Sequence, residues 1–472
     1  MSKTLFFYDL ETSGLNSHED RIMQFAGIRT DLAFNQISEP IDLLVKLNDD
    51  TLPSPEAILV TGITPQKTIE EGISEAEFSK FLIKEVFLPD TIIIGFNNIR
   101  FDDQFIRHLF WRNFYDPYEW SWSEGRSSWD ILDLVRMTRA LRPEGINWPV
   151  DKDSIPTNRL ELISQVNNLD HEEAHDALSD VKALISVTKL VHEKQPQLYE
   201  YLFNMRDKKS IKDLVNLDDK KPFVYSSGKY DSKFNKTTVA FPLAPAKNGN
   251  VIVYDLRYDP EQFINLDINE LSKIIYANYE DRQKDDYIPI PVKELRYNRS
   301  PAVAPIGVLS QADGWSKIGL SEEIISNNMK TLLKNPSFAE NIRSIYENRE
   351  EYPKSLDVES QLYDSFVPDA DKIRIEAVRN ADATQLADMH PEFLDERLPE
   401  MLLHYKARNY PKSLSADEII AWEKWRSTRI LAKIDSYMDS LSQLSASEVD
   451  ENKLFILKEL QLWAESIVPG FD

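Results

Sequence analysis

The stretch FYDLETSG, residues 7–14, carries two carboxylates, Asp9 and Glu11, at the end of an apolar run from Leu5 to Tyr8. Alternate residues of a strand share a face, so the two side chains project together. Acids at the end of a buried strand repel each other and are costly to strip of water. A positive partner is expected. Two further acids fall at element edges. Asp102, in NNIRFDD, sits where a strand and loop give way to a helix carrying Phe105, Leu109 and Phe110. Asp180 lies within a helix expected over Glu172 to His192. Clustered carboxylates without thiolates suit hard divalent cations such as Mg²⁺ or Mn²⁺. Two such ions can clamp the attacking and leaving oxygens of a phosphodiester. His175, at the start of that helix, is placed to take a proton from attacking water.

Each signal alone has a plainer reading. A lone D-x-E pair earns a weight of about one in ten, because such pairs are common at solvent edges. Asp102 or its neighbour Asp103 could cap a helix, Asp180 could be a solvated face residue, and a histidine at a helix start is commonly a surface group. The weight rests on all of them occurring in order in one domain. His171–His175 also matches H-E-x-x-H, the zinc-protease pattern. That chemistry needs both histidines on one established helix, whereas the turn-like Asn167–Asp170 precedes them here, so it is weighted at about one in twenty.

The elements that must hold these groups follow from periodicity. Residues 4–47 alternate with period two in three runs, as three strands of a meander would. Pro53 to Pro65 is expected as loop, Ser74 to Val86 as helix, and TIIIGF (91–96) as a strand covered on both faces. Strands followed by mixed strands and helices make an α/β domain ending near Lys194. Residues 222–305 carry short β-rich pieces with one inserted helix, LDINELSKIIYAN, and from about Ser321 the pattern is helical.

Bulk properties bound the rest. At 472 residues the chain is expected to form two to four domains. It has no cysteine, which suits a reducing compartment. No signal peptide and no membrane span are expected, so a cytoplasmic protein is. The formal charge of −24 argues against coating nucleic acid through bulk charge, but not against a local basic groove. Residues 203–238 carry a local charge of +4, a candidate seam for a phosphate backbone. Five of the nine tryptophans (Trp111, Trp120, Trp122, Trp129, Trp148) are interleaved with Arg107, Arg112, Arg126, Arg136, Arg139 and Arg142. Rings stack on bases and arginines meet phosphate. Most such rings belong to cores, yet the polar run YDPYEWSW marks Tyr118 and Trp122 as expected exposed platforms.

D-x-E-T at Asp9–Thr12, the NNIRFDD junction and H-x(4)-D from His175 to Asp180 resemble the DEDD exonuclease superfamily in its histidine-containing branch. Longer stretches, GITPQ, RNFYDPYEWSW, ALRPEGINWP, AHDALSDV and YKARNYP, are similar to those of the bacterial exodeoxyribonuclease I family across essentially the whole chain. The resemblance implies a multidomain α/β, β and α architecture: a ribonuclease-H-like exonuclease domain over 1–195, an SH3-like domain over 196–350 and a helical domain over 351–472. It implies stepwise 3′→5′ removal of nucleotides from single-stranded DNA with two Mg²⁺ ions, Mn²⁺ substituting, in DNA repair and recombination. Carried over by motif, Asp9, Glu11, Asp102 and Asp180 are metal ligands and His175 the general base. Glu11 also touches the terminal nucleotide, and Arg159 matches a substrate-contacting arginine. Arg107 and Arg136 join the expected DNA contacts, while Asp103 and Asp176 stand beside the ligand candidates. The expected partner is the acidic C-terminal tail of single-stranded DNA-binding protein, with Arg299, Arg408 and Arg426 as candidates for its contacts, and a monomer is expected. The rivals are an exoribonuclease with the same residues and a nucleic-acid binding scaffold with an idle site.

Overall fold

The computed structural model describes residues 3–169, 176–349 and 354–469. They divide into two compact units. The first gathers residues 1–128, 171–185 and 353–472; the second gathers 129–170 and 186–352.

The alternating runs near the N-terminus form β1 (Thr4–Thr12), β2 (Ile22–Thr30) and β3 (Ile41–Leu44), and TIIIG forms β4 (Thr91–Gly95). With β5 (Ser127–Asp130) they build a five-stranded sheet in the order β3-β2-β1-β4-β5. β1 is antiparallel to β2, with Asp9 opposite Ala26 and Glu11 opposite Gln24, and parallel to β4, with Phe7 opposite Ile94. Every residue of β4 is buried, as an uninterrupted apolar run requires. Phe6, Tyr8 and Leu10 send alternate side chains into a core with Phe25, Phe78, Ile93, Phe105 and Phe110. That leaves Asp9 and Glu11 on the other face of the strand.

The segment expected as loop between Pro53 and Pro65 instead begins helix α1 (Pro55–Thr61), followed by α2 (Pro65–Glu71). The physical reason is local. Ser54 accepts the Ala57 N–H as N-cap, Pro55 sits where a helix has no use for an N–H, and Gly62 closes the helix at φ 69°. The expected helix from Ser74 is present as α3 (Glu75–Phe81), running on as a π turn over Leu82–Val86. Next comes α4 (Asp102–Arg112). The helix Ala177–Lys194 carries Asp180 in its first turn.

In the second unit, β6 (Phe223–Ser226), β7 (Thr237–Pro245), β8 (Val251–Asp255), β9 (Val292–Leu295) and β10 (Ala302–Pro305) form an antiparallel sheet in the order β10-β6-β7-β8-β9. Its inner face buries Phe223, Tyr225, Val251, Val253, Leu295 and Val303. The inserted helix is Ile268–Ile275. Together the two sheets and the later helices make the expected α/β, β and helical parts of the chain.

Within the first unit, helices near the C-terminus lie on the sheet's surroundings through buried charge. Arg408 bonds Asp50 at 2.8 Å and Glu359 at 2.6 Å, Arg21 meets Glu359 at 3.0 Å, and His404 Nδ1 lies 2.8 Å from Glu359. None of these side chains is more than 2 % exposed. The mutual attraction holds the Asp50 and Glu359 carboxyls well below their ordinary range despite burial. No helix among the described residues is long and apolar enough to cross a membrane.

Candidate active site

Because β1 and β4 run parallel, their C-terminal ends share one edge of the sheet. β1 ends there with Asp9 and Glu11 and a register irregularity between Glu11 and Thr12. Beyond β4 the chain turns through Asn97 in left-handed conformation (φ 67°) and enters α4 at Asp102. The helix Ala177–Lys194 contributes Asp180, whose N–H is donated to the Asp176 carbonyl at 3.0 Å, while Asp176 Oδ2 accepts the Ser179 N–H at 3.0 Å. Three elements distant in sequence thus deliver acids to one place. Oxygens of Asp9, Glu11 and Asp180 lie within 4.8 Å of one another.

Burial and mutual repulsion raise two acids of this cluster. Burial raises the Asp9 carboxyl well above its ordinary range, and the charges of Asp102, Glu11, Asp180 and Asp176 raise it further. Burial, then Asp180, Asp102 and Asp176, push Glu11 from 4.5 up to about 8. Three carboxylates with all-oxygen donors in a half-buried site fit a hard divalent cation. Binding one would turn repulsion into coordination and return the acids to their charged form. Asp102 stands outside the tight trio, yet among neighbouring charges it acts most strongly on Asp9.

Asp103 takes a different place. It is buried beneath the sheet edge, where Tyr8 O–H donates to its Oδ1 at 2.6 Å. Two participants were not among the sequence candidates' assigned roles. Asp176 caps the helix that carries Asp180 and adds charge to the cluster. Gln24, across from Glu11 in β2, donates to Asp42 at 2.9 Å and to Asp176 at 3.4 Å. The strand register alone could have pointed to Gln24 as the cross-strand neighbour of Glu11. His175, and with it the H-E-x-x-H stretch from His171, lies outside the described residues.

The expected DNA contacts separate. Trp122 is 64 % exposed, as a platform must be. Tyr118 is not an open platform: it is half-buried, edge-on to Phe366 with centroids 6.2 Å apart, and Arg107 lies 5.6 Å over its ring. Trp111, Trp120 and Trp129 are core residues. Arg112 pairs with buried Glu75 at 2.7 Å, and Arg139 donates to the Thr157 and Pro149 carbonyls, so these arginines serve the fold. In the second unit Arg136 bonds Asp133 at 2.6 Å, and Arg159 is well exposed with Glu161 at 3.8 Å. Lys208, Lys209, Lys212, Lys220, Lys221, Lys229 and Lys233 of the basic seam are exposed. Arg408, a candidate for the partner tail, is buried in its ion pairs and offers no surface. Arg426 is largely covered and bonded to Glu423.

Three family models match the chain: "Exonuclease" over residues 6–188, "Exonuclease I SH3-like domain" over 206–348 and "Exonuclease I C-terminal domain" over 356–467. The chain is 38% identical over 460 residues to exodeoxyribonuclease I of Haemophilus influenzae, covering 97% of both. It is similar to the crystal structure of E. coli exonuclease I in complex with a dA16 oligonucleotide, with a TM-score of 0.95 and 37% identity over 99% of this chain and 100% of that one. It is also similar to a crystal structure of SSB/exonuclease I in complex with the inhibitor CFAM, with a TM-score of 0.91, 36% identity and the same coverage.

Proposed function

The chain belongs to the exodeoxyribonuclease I family, and from that membership we propose that it removes nucleotides stepwise from the 3′ end of single-stranded DNA, with two divalent cations held by Asp9, Glu11, Asp102 and Asp180. The observation that carries this reading is the trio of carboxylates within 4.8 Å of one another, Asp9 and Glu11 from a strand otherwise devoted to the core and Asp180 from the helix Ala177–Lys194. Mg²⁺, with Mn²⁺ as a substitute, supplies when bound positive charge against the phosphate and the leaving oxygen.

The chain's own residues divide the remaining work. Asp9 and Glu11 present their oxygens from a rigid central strand, so little is left to organise when substrate arrives. Asp102 and Asp180 bring theirs from two helices. His175 accepts the proton as a water oxygen forms the new bond to phosphorus. The P–O3′ bond breaks, and the terminal nucleotide leaves with its 5′-phosphate. Glu11 also steadies that nucleotide. Arg159, Arg107 and Arg136 act on phosphates, with Trp122 under a base.

At the level of the chain, an exonuclease domain over 1–195, an SH3-like domain over 196–350 and a helical domain over 351–472 act together as a monomer in the cytoplasm, in DNA repair and recombination. The partner is single-stranded DNA-binding protein through its acidic tail, a reading supported by the similarity to the SSB/exonuclease I structure.

The test is a pair of variants. Asp9→Asn and Asp180→Asn are expected to lower cleavage of a single-stranded oligonucleotide by at least about 10³-fold, the scale on which removing preorganised electrostatic stabilisation acts. Binding of the same oligonucleotide, followed by fluorescence anisotropy, should be nearly unchanged. Retained cleavage would remove these acids from the chemistry.

A further inference from the structure

Helix α4 opens with two consecutive aspartates, and their surroundings differ. Asp102 adds its charge to that of the cluster around Asp9 and Glu11. Asp103 points inward and is 1 % exposed. Its Oδ1 accepts two hydrogen bonds, from the Tyr8 phenol at 2.6 Å and from Asn98 Nδ2 at 3.1 Å. Its backbone N–H is donated to the Asn98 carbonyl at 2.8 Å.

The partners' places in the chain give these bonds their meaning. Tyr8 directly precedes Asp9 on β1, and Asn98 lies in the turn that follows β4. Gly95, the last residue of β4, lets that turn fold back: a Cβ there would stand 2.5 Å from the Cβ of Asn98. One buried oxygen therefore ties β1, the turn after β4 and the start of α4 together, one residue away from both Asp9 and Asp102. A buried carboxylate is a poor device for stability alone, because an apolar replacement of similar volume is often neutral or better. Its directional bonds do what an apolar side chain cannot, which is to fix the rotation and depth of a helix end.

We propose that Asp103 is a positioning residue: as a hydrogen-bond acceptor for Tyr8 and Asn98, it locks the first turn of α4 against β1 so that Asp102 faces Asp9 before a cation binds. Tyr8 and Asn98 are parts of the same device. This inference rests on the reading of Asp102 as a cation ligand, and the experiment separates the two.

Mn²⁺ binding to the full-length protein without DNA is followed by the loss of the free-ion electron paramagnetic resonance signal, beside thermal unfolding of each variant. Tyr8→Phe removes one hydroxyl, and Asp103→Leu removes both acceptor bonds. Each is expected to weaken Mn²⁺ binding by roughly 10- to 100-fold, the usual effect of disturbing the groups that orient a metal ligand. Asp103→Asn keeps an oxygen able to accept both bonds and should stay within a few-fold of wild type. Asp102→Asn should lose most of the affinity. In turnover, Tyr8→Phe should lower kcat at a fixed, limiting Mn²⁺ concentration while leaving KM for the oligonucleotide in place. Wild-type Mn²⁺ affinity in a folded Tyr8→Phe protein would overturn the proposal, and this variant decides the matter if Asp103→Leu does not fold. Loss of affinity in Asp103→Asn as deep as in Asp102→Asn would overturn it differently, by making Asp103 a ligand itself. Wild-type affinity in Asp102→Asn would remove the premise instead.

Discussion

Glu11 concentrates the cost of building this site. Its carboxyl is pushed up to about 8 by burial and by Asp180, Asp102 and Asp176, and Asp9 is raised as well. Both acids hold protons more tightly folded than unfolded, so each contributes stability that is fully present below its unfolded value and is lost as pH rises, for Glu11 between 4.5 and about 8. In chelator, the thermal midpoint should therefore fall between pH 5 and pH 8. Millimolar Mg²⁺ should flatten that decline, because a bound cation stabilises the charged acids and the folded state with them. Identical pH profiles with and without Mg²⁺ would mean that the cluster binds no cation. At this scale the sequence was informative where spacing carries geometry: D-x-E puts two acids on one strand face. It could not separate Asp102 from Asp103, since both suit the start of a helix. Only the fold turns one towards the cluster and the other towards Tyr8 and Asn98.

Among the elements, strands were legible and short capped helices were not. The period-two runs became β1, β2 and β3, and the apolar run became β4. The segment after Pro53 is a helix rather than the expected loop, because Ser54-Pro55 with Gly62 is the pattern of a capped helix. The loop carrying YDPYEWSW divides for a related reason. Its polarity favours exposure, which Trp122 has, but Tyr118 is claimed by Phe366, a partner far downstream that local pattern cannot reveal. The two rings should then respond differently to truncation. Trp122→Ala is expected to weaken single-stranded DNA binding by about 1–3 kcal/mol, the value of one stacked base, with an unchanged thermal midpoint. Tyr118→Ala is expected to lower the midpoint, through loss of its half-buried packing. Unchanged affinity in Trp122→Ala would remove that ring from the strand's path.

For the whole molecule, domain order along the chain and compactness in space diverge. Residues 353–472 share a compact unit with residues 1–128, and within it the buried charges of Arg21, Asp50, Glu359, His404 and Arg408 join segments hundreds of residues apart. Composition and periodicity describe such residues only as charged and are blind to the pairing that makes their burial tolerable. Longer motifs carried what local physics could not, since the family resemblance spans all three matched regions. The net charge of −24 is a property of the whole chain too, and the exposed seam lysines are a local exception to it. Exonuclease action on single-stranded DNA is best tested by a time course on an oligonucleotide labelled at its 5′ end, with Mg²⁺ or with chelator, beside matched duplex DNA and single-stranded RNA. A Mg²⁺-dependent ladder that shortens from the 3′ end on single-stranded DNA is the expected result, with duplex and RNA largely spared. Faster loss of the RNA, or tight binding of the DNA with no ladder, would contradict it.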